Sequence, residues 1–153
     1  MSNKQISNST VIAKTLSTND VGLTGSKQVG ILIPKEDAIL SFFPKLDAAV
    51  LNPRRPLRVS NRATGASWSP NYVYYNNALH VEGGTRNEYR LTRMTALFRD
   101  LDMTKGDVIC FERGPAGDIE IYKGSPRTTT IAILMEVSNV GRSSDGSWDL
   151  FWG

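Results

Sequence analysis

Apolar and polar residues alternate over short stretches of this chain, the period of strands, and longer helical spacing is confined to two places. Val11 to Leu16 predicts a first strand, and STNDVGLTGSK after it (17–27) reads as a long polar loop punctuated by glycine. The chain returns as a second strand in QVGILIP (28–34). Pro34 suits the first turn of a short helix, and Glu36 and Asp37 favour its positive end. Ile39, Leu40, Phe42 and Phe43 give that helix an apolar face before Pro44 stops it. Asn52-Pro53 makes a turn, after which PLRVSN (56–61), NYVYYN (71–76) and NEYRLTR (87–93) predict successive strands.

Leu91, Met94, Leu97, Phe98 and Leu101 recur at near-helical spacing, so a second helix is expected after Arg93. KGDVICFERGPAGDIEIYK (105–123) is a hairpin turned by Gly114-Pro115-Ala116-Gly117. A long strand from Thr128 to Val140 and a last one around Trp148 to Trp152 complete the pattern, the aromatic ending WDLFWG closing the barrel or, as the lesser alternative, facing a neighbouring domain. About seven or eight strands with two short helices predict a mainly β, mostly antiparallel barrel or sandwich and exclude a βαβ fold. Residues 1–10 are expected to be a flexible N-terminus and 11–153 a single domain, with no internal repeat or linker.

Composition narrows the function. The single cysteine, Cys110, lies in the apolar run DVICF, which suits a small buried hydrophobe in a reducing compartment. MSNKQISNST has no apolar block behind it and so is not a secretory signal, and TTTIAILMEV (128–137) is too short and too β-branched for a membrane span. A soluble protein of the cytoplasm, with no membrane partner, is expected. Net charge is only +3, but it is unevenly placed: residues 1–47 carry five basic and four acidic groups (+1), 48–99 eight and two (+6), and 100–153 five and nine (−4). A basic middle beside an acidic end points to one face built for a polyanion.

Catalytic chemistry is missing. One histidine, His80, and one cysteine cannot make a zinc site of the usual composition, and no HExxH, CxxC or GxxxxGK[ST] is present. In DIEIYK (118–123) the nuclease-like pair Glu120 and Lys123 would point to opposite faces of a strand. No catalytic residue, metal ligand or cofactor is expected.

Against that background GGTRNEYRLTR (83–93) stands out, with three arginines, one glutamate and one asparagine in eleven residues. In a strand, Arg86, Glu88, Arg90 and Thr92 project from one face, and Asn87, Tyr89 and Leu91 from the other. Arginine donates two hydrogen bonds to guanine O6 and N7, asparagine pairs with adenine, and glutamate accepts from cytosine N4. The row is therefore either a set of base readers or the solvated side of an edge strand whose charges pair among themselves. Arg54, Arg55, Arg58 and Arg62, with no acid between Asp47 and Glu82, form a candidate phosphate-binding set. Tyr72, Tyr74 and Tyr75 suit either core packing or base stacking.

LSTNDVGLTGSKQVGILIP, FFPKL, LNP, YVYYN and GGTRNEYRLTR, in that order, resemble the N-terminal effector-binding domain of the restriction endonuclease EcoRII. MTKGDVICFE followed by IEIYK is similar to the strand pair of the wider B3-like pseudobarrel family. The resemblance implies a seven-stranded open pseudobarrel with two short helices, gripping duplex DNA through two arms in the major groove, Ser17 to Gln28 and Gly83 to Arg93. It implies base reading by Arg86, Asn87, Glu88 and Arg90 with Lys27, Asn19 and Asp20, at a CCWGG-like site. Backbone contacts would come from Arg93, Tyr89, Thr24 and Gln28, together with Arg54, Arg55, Arg58 and Arg62. The pattern departs from the EcoRII arms at Lys27, Leu32, Gly84 and Tyr89. The implied partners are double-stranded DNA and a catalytic nuclease domain in a longer bacterial protein. A small self-contained nuclease and a protein-interaction barrel are the rival readings.

Overall fold

The computed structural model describes residues 10–22, 30–124, 140–142 and 148–152. Eleven strands lie among them: β1 (Thr10–Thr15), β2 (Gly30–Ile33), β3 (Arg54–Pro56), β4 (Val59–Asn61), β5 (Ser67–Trp68), β6 (Asn71–Tyr75), β7 (Glu88–Thr92), β8 (Val108–Arg113), β9 (Ile119–Gly124), β10 (Val140–Arg142) and β11 (Trp148–Trp152). Three short helices interrupt them: α1 (Asp37–Leu40), α2 (Asn77–His80) and α3 (Thr95–Asp100). One sheet runs β10-β11-β1-β8-β9-β4-β5 and the other β2-β7-β6-β3. Every pairing is antiparallel except β4 with β9. The sheets are open, as a pseudobarrel requires. Among the described residues no helix is long and apolar enough to cross a membrane.

The inner faces of the two sheets share one core. Ile12, Ile109, Phe111 and Ile121 enter it from the larger sheet, and Ile31, Ile33, Tyr72 and Leu91 from the smaller. Burying each such side chain contributes about 1.5–3 kcal/mol, an upper estimate because the unfolded chain already hides part of its surface. The β8–β9 hairpin follows the predicted alternation. Phe111 pairs with the buried Ile121 of β9, and Gly117 takes the left-handed turn at φ 88°. Cys110 is buried, which pushes its thiol up to about 11, so it is a packing residue at neutral pH. Arg113 ties α1 to this hairpin: its Nη1 donates to the carbonyls of Phe42, at 2.7 Å, and Ser41, at 3.2 Å.

Three departures from the sequence expectation have local causes. The predicted strand 56–61 is two strands, because the chain leaves the small sheet at Pro56 and enters the large one at Val59. Between them Leu57 is buried and donates its N–H to Pro70, a bond to neither sheet ladder. The first predicted helix shrinks to one turn, and α2 is an unpredicted third helix. The split and the two-residue β5 raise the strand count above the seven or eight expected, while the mainly β class and the antiparallel pairing stand. The predicted strand from Thr128 lies outside the described residues up to Val140.

A buried ion pair fastens the loop that follows β1. Lys14 shares the inward side of β1 with Ile12, yet it is a cation and only 6% exposed. Its Nζ donates to Asp20 Oδ2 at 2.5 Å, and the same oxygen accepts the Ser17 N–H at 2.8 Å. Asp20 N–H returns a bond to Ser17 Oγ at 3.2 Å, closing a reciprocal turn. Lys14→Met strands a buried carboxylate and should destabilise the domain by about 3–5 kcal/mol in urea titrations. Adding Asp20→Asn should recover part of that loss. A wild-type midpoint in Lys14→Met would contradict the pair's structural role.

Candidate nucleic-acid interface

Strand register decides which side chains share a surface, because directly opposed residues project to the same side of a sheet. In the small sheet Leu32, Arg90, Val73 and Arg54 form one row across all four strands, and Glu88 faces Tyr75 in the next. The other side carries Leu91 with Ile31 and Tyr72, and Tyr89 with Ile33 and Tyr74. Leu91 and Tyr72 are buried in the core, so the Arg90–Glu88 side is the outer one. β7 lies between β2 and β6, which removes the edge-strand reading of its charges.

On that outer side Glu88 sits between two arginines. Arg86 Nε and Nη2 donate to Glu88 Oε1 at 2.9 and 2.7 Å. Arg90 Nε lies 3.4 Å from the same oxygen, an ion pair too loose to count as a hydrogen bond for this buried nitrogen. Side-chain exposures of 29% for Arg86, 27% for Glu88 and 15% for Arg90 place the three well below freely solvated charges. Arg86 also stacks over the Tyr75 ring at 3.7 Å, a cation–π contact. Partial burial pushes the Glu88 carboxyl up, but the hydrogen bonds from Arg86 and the close positive charges of Arg86 and Arg90 outweigh it and hold the pKa below the ordinary carboxylate value. Glu88 is therefore an acceptor-only group at neutral pH, and its two arginines are held at a fixed spacing.

Other candidates fall in different places. Arg54 joins the outer row, whereas Arg55, its neighbour on the same edge strand, has the opposite parity and is exposed. Arg58 is exposed and lines an open groove with Arg113 and Asp118. Arg62 is separated from the set: it donates to Glu112 at 2.5 Å and Glu120 at 3.0 Å and stacks over Tyr122 on the large sheet. Two carboxylates already compensate it, which removes the sequence's reason for grouping it with phosphate binders. Arg93 is exposed in a left-handed turn, φ 59°, that leads from β7 into α3.

Asn87 is exposed, and its Oδ1 accepts the Tyr74 hydroxyl at 2.5 Å. Tyr89, expected at a phosphate, has its ring stacked on Tyr74 with centroids 4.2 Å apart, on the side opposite Arg90. Asp20, expected to read a base, is committed to Lys14 and Ser17 and has its carboxylate buried. Asn19 is exposed at the turn and its carbonyl accepts the Gly22 N–H. Thr24, Lys27 and Gln28 lie outside the described residues.

Two features escaped the sequence reading. Tyr75 is the bearing for Arg86, while Tyr72 and Tyr74 belong to the stacked packing; the alternation of NYVYY carried that difference but did not assign it a purpose. Arg54 joins the outer row through β3, a pairing with no local signal. Among the described residues no cluster of three or more metal-ligating side chains occurs.

The family described as "Restriction endonuclease EcoRII, N-terminal" matches residues 5–120. The type II restriction enzyme EcoRII of Escherichia coli is 38% identical over 97 residues, which span 61% of this chain and 24% of that enzyme. The chain thus covers about a quarter of that relative's length. The UbaLAI restriction endonuclease B3 domain, solved with cognate DNA, superposes with a TM-score of 0.55 at 21% identity over 95% of this chain and 88% of that one. The Arabidopsis FUS3–DNA complex gives 0.56 at 19% identity over 74% of this chain and 94% of that one. At these identities the two structures establish the B3-like fold.

The Glu88 geometry makes a measurable prediction. Its depressed pKa means that the ion set contributes stability fully above the ordinary carboxylate value and loses it as pH falls through the lower folded value. Arg86→Ala removes both short hydrogen bonds, so carboxyl NMR titration should show the Glu88 pKa rising. An unmoved titration would mean that Arg86 does not hold this carboxylate in solution.

Proposed function

The chain belongs to the restriction endonuclease EcoRII N-terminal family, and on that premise we propose that it is a sequence-specific duplex-DNA-binding module that does no catalysis itself. The observation that carries the reading is Glu88 held between Arg86 and Arg90 on the outer face of an inner strand. A carboxylate is repelled by phosphates, so it has no place at the centre of a surface selected only for charge. At a G·C pair it has one, as the acceptor for cytosine N4 flanked by arginine donors for guanine. The Arg90–Glu88 contact is made through Nε, and among the described residues no hydrogen bond to the terminal nitrogens of Arg90 is found, which leaves them for a base.

In this reading Arg86, Glu88 and Arg90 read bases of a CCWGG-like site, with Asn87, Asn19 and Lys27 beside them. Arg54, Arg55, Arg58 and Arg93 meet phosphates, joined by Thr24 and Gln28 of the first arm. Asp20, Tyr89 and Arg62 keep the structural partners they have in the free protein. The bound DNA is the trigger or tether for a nuclease domain in a longer polypeptide of the bacterial cytoplasm, and residues 11–153 act as one domain.

Two measurements test this. Arg54→Ala should weaken target and scrambled duplexes alike and flatten the slope of log affinity against log salt by about 0.9, the signature of one lost phosphate contact. Glu88→Ala should lower affinity for a selected site while affinity for a scrambled duplex holds or rises, so that the two values converge. A parallel gain on both duplexes would reduce Glu88 to a surface charge and remove the base-reading claim. Magnesium-dependent cutting by the purified chain, abolished by a substitution within it, would favour the self-contained nuclease instead.

A further inference from the structure

Arg86 precedes the strand that displays its partners. β7 begins at Glu88, and the first β6 pair is Tyr75 with Glu88, so no ladder hydrogen bond fixes the backbone of residue 86. Two consecutive residues of the preceding helix, α2, hold it instead. Asn77 Oδ1 accepts the Arg86 N–H at 2.7 Å, and the Arg86 carbonyl accepts the Ala78 N–H at 3.0 Å. Both polar groups of that peptide unit's residue are thus satisfied by α2, which stands in for a strand neighbour.

The close approach depends on Gly84. A Cβ there would lie 2.3 Å from the Asn77 carbonyl oxygen and 2.6 Å from its carbon, both backbone atoms that cannot swing aside. Any side chain at 84 pushes the arm away from α2. The α2 end is itself anchored. Asn76 is 0% exposed; its Nδ2 donates to Val50 O at 2.8 Å and Ala48 O at 3.3 Å, and its Oδ1 accepts the Asn52 N–H at 2.8 Å. A buried amide with its donors and acceptor engaged is a rigid hub. The chain of support runs from the 48–52 turn through Asn76 to Asn77, then to Arg86 and its guanidinium on Glu88 and Tyr75.

We propose that Asn77 and Gly84 are specificity-determining positioning residues, which fix the backbone at Arg86 so that its guanidinium meets one base pair, without touching DNA themselves. This rests on the reading of Arg86 as a base reader. Loss of the clamp leaves the arginine its charge and lets it wander, so attraction to phosphates persists while discrimination at one position falls.

The test compares Arg86→Ala, Asn77→Ala, Gly84→Ala and the acceptor-retaining Asn77→Asp on a selected duplex and on variants substituted at each base pair, at one salt concentration. Arg86→Ala identifies its base pair by the position where preference collapses, by on the order of tenfold. Asn77→Ala and Gly84→Ala should lose preference at that same pair and keep it at the pair that Arg90→Ala identifies, while Asn77→Asp keeps both. The double variant Asn77→Ala/Arg86→Ala should discriminate no worse than Arg86→Ala alone. In the DNA-free protein, amide exchange at Arg86 should accelerate in Asn77→Ala with the β7 amides unchanged, and Asn77→Asp should restore it. Even loss across all positions, or full preference in a folded Asn77→Ala or Gly84→Ala, overturns the positioning role while leaving Arg86 as reader. Should the alanine variants not fold, loss of preference at the Arg86 pair in Asn77→Asp, with its exchange protection restored, overturns it equally. Full preference in Arg86→Ala sinks the base-reader assignment and the positioning role with it, a result separate from the others.

Discussion

The alternation of β7 between two neighbours constrains everything else about the candidate interface. Leu91 is buried against Ile31 and Tyr72, and Tyr89 stacks on Tyr74, so the apolar side of the strand has one register that satisfies it. A slip of one residue would send Glu88 and Arg90 toward the core and Leu91 out, at the cost of burying separated charges. The position of the polar side is thus inherited from the packing of the apolar side. This is why a charged row of low intrinsic stability holds a reproducible geometry, and why its nearest threats are core substitutions on the opposite face.

Within that frame the carboxylate organises the arginines. Two guanidinium groups on one strand face repel each other, and each long side chain loses rotamer freedom when it docks. Glu88 offsets the repulsion and restricts both side chains before any ligand arrives, while Tyr75 takes the flat face of Arg86. The net contribution to folding is small, as for most partly exposed pairs. Its value lies in preorganisation: ordering done in the free protein is not charged against binding.

The sequence made the β7 face legible because strand geometry is local. Parity from Glu88 to Thr92 needs nothing but the two-residue period, and the hairpin around Gly117 and the helix after Arg93 follow from equally local signals, whereas Arg86 lies before the strand and is placed by α2. What escaped were features set by distant partners. Arg62 looks like its arginine neighbours in sequence, and only the parallel pairing of β4 with β9 brings Glu120 within 3.0 Å of it. Asp20 looks like a polar loop residue until β1 turns Lys14 inward beneath it. The helix at Asn77 to His80 has no periodic pattern to announce it, since its purpose is met by backbone and amide groups and none of its residues is buried.

The uneven charge along the chain acquires its meaning from the topology. The basic segment 48–99 supplies β3, β6 and β7, three of the four strands of the small sheet, along with β4 and β5 at one end of the large one, whereas the acidic segment 100–153 supplies β8 to β11 of the large sheet. On the large sheet carboxylates and cations neutralise each other locally, as in Glu112 and Glu120 with Arg62 and Asp107 with Lys123. On the small sheet Arg54, Arg86 and Arg90 share a face with Glu88, so the local excess is positive. A polyanion approaching this domain therefore meets its positive excess on one sheet and a locally neutralised surface on the other, a difference that reaches about 10 Å at ordinary salt. The positive excess and the arginine–carboxylate set thus fall on the same face, because β7 lies in the small sheet, three of whose four strands come from the basic segment.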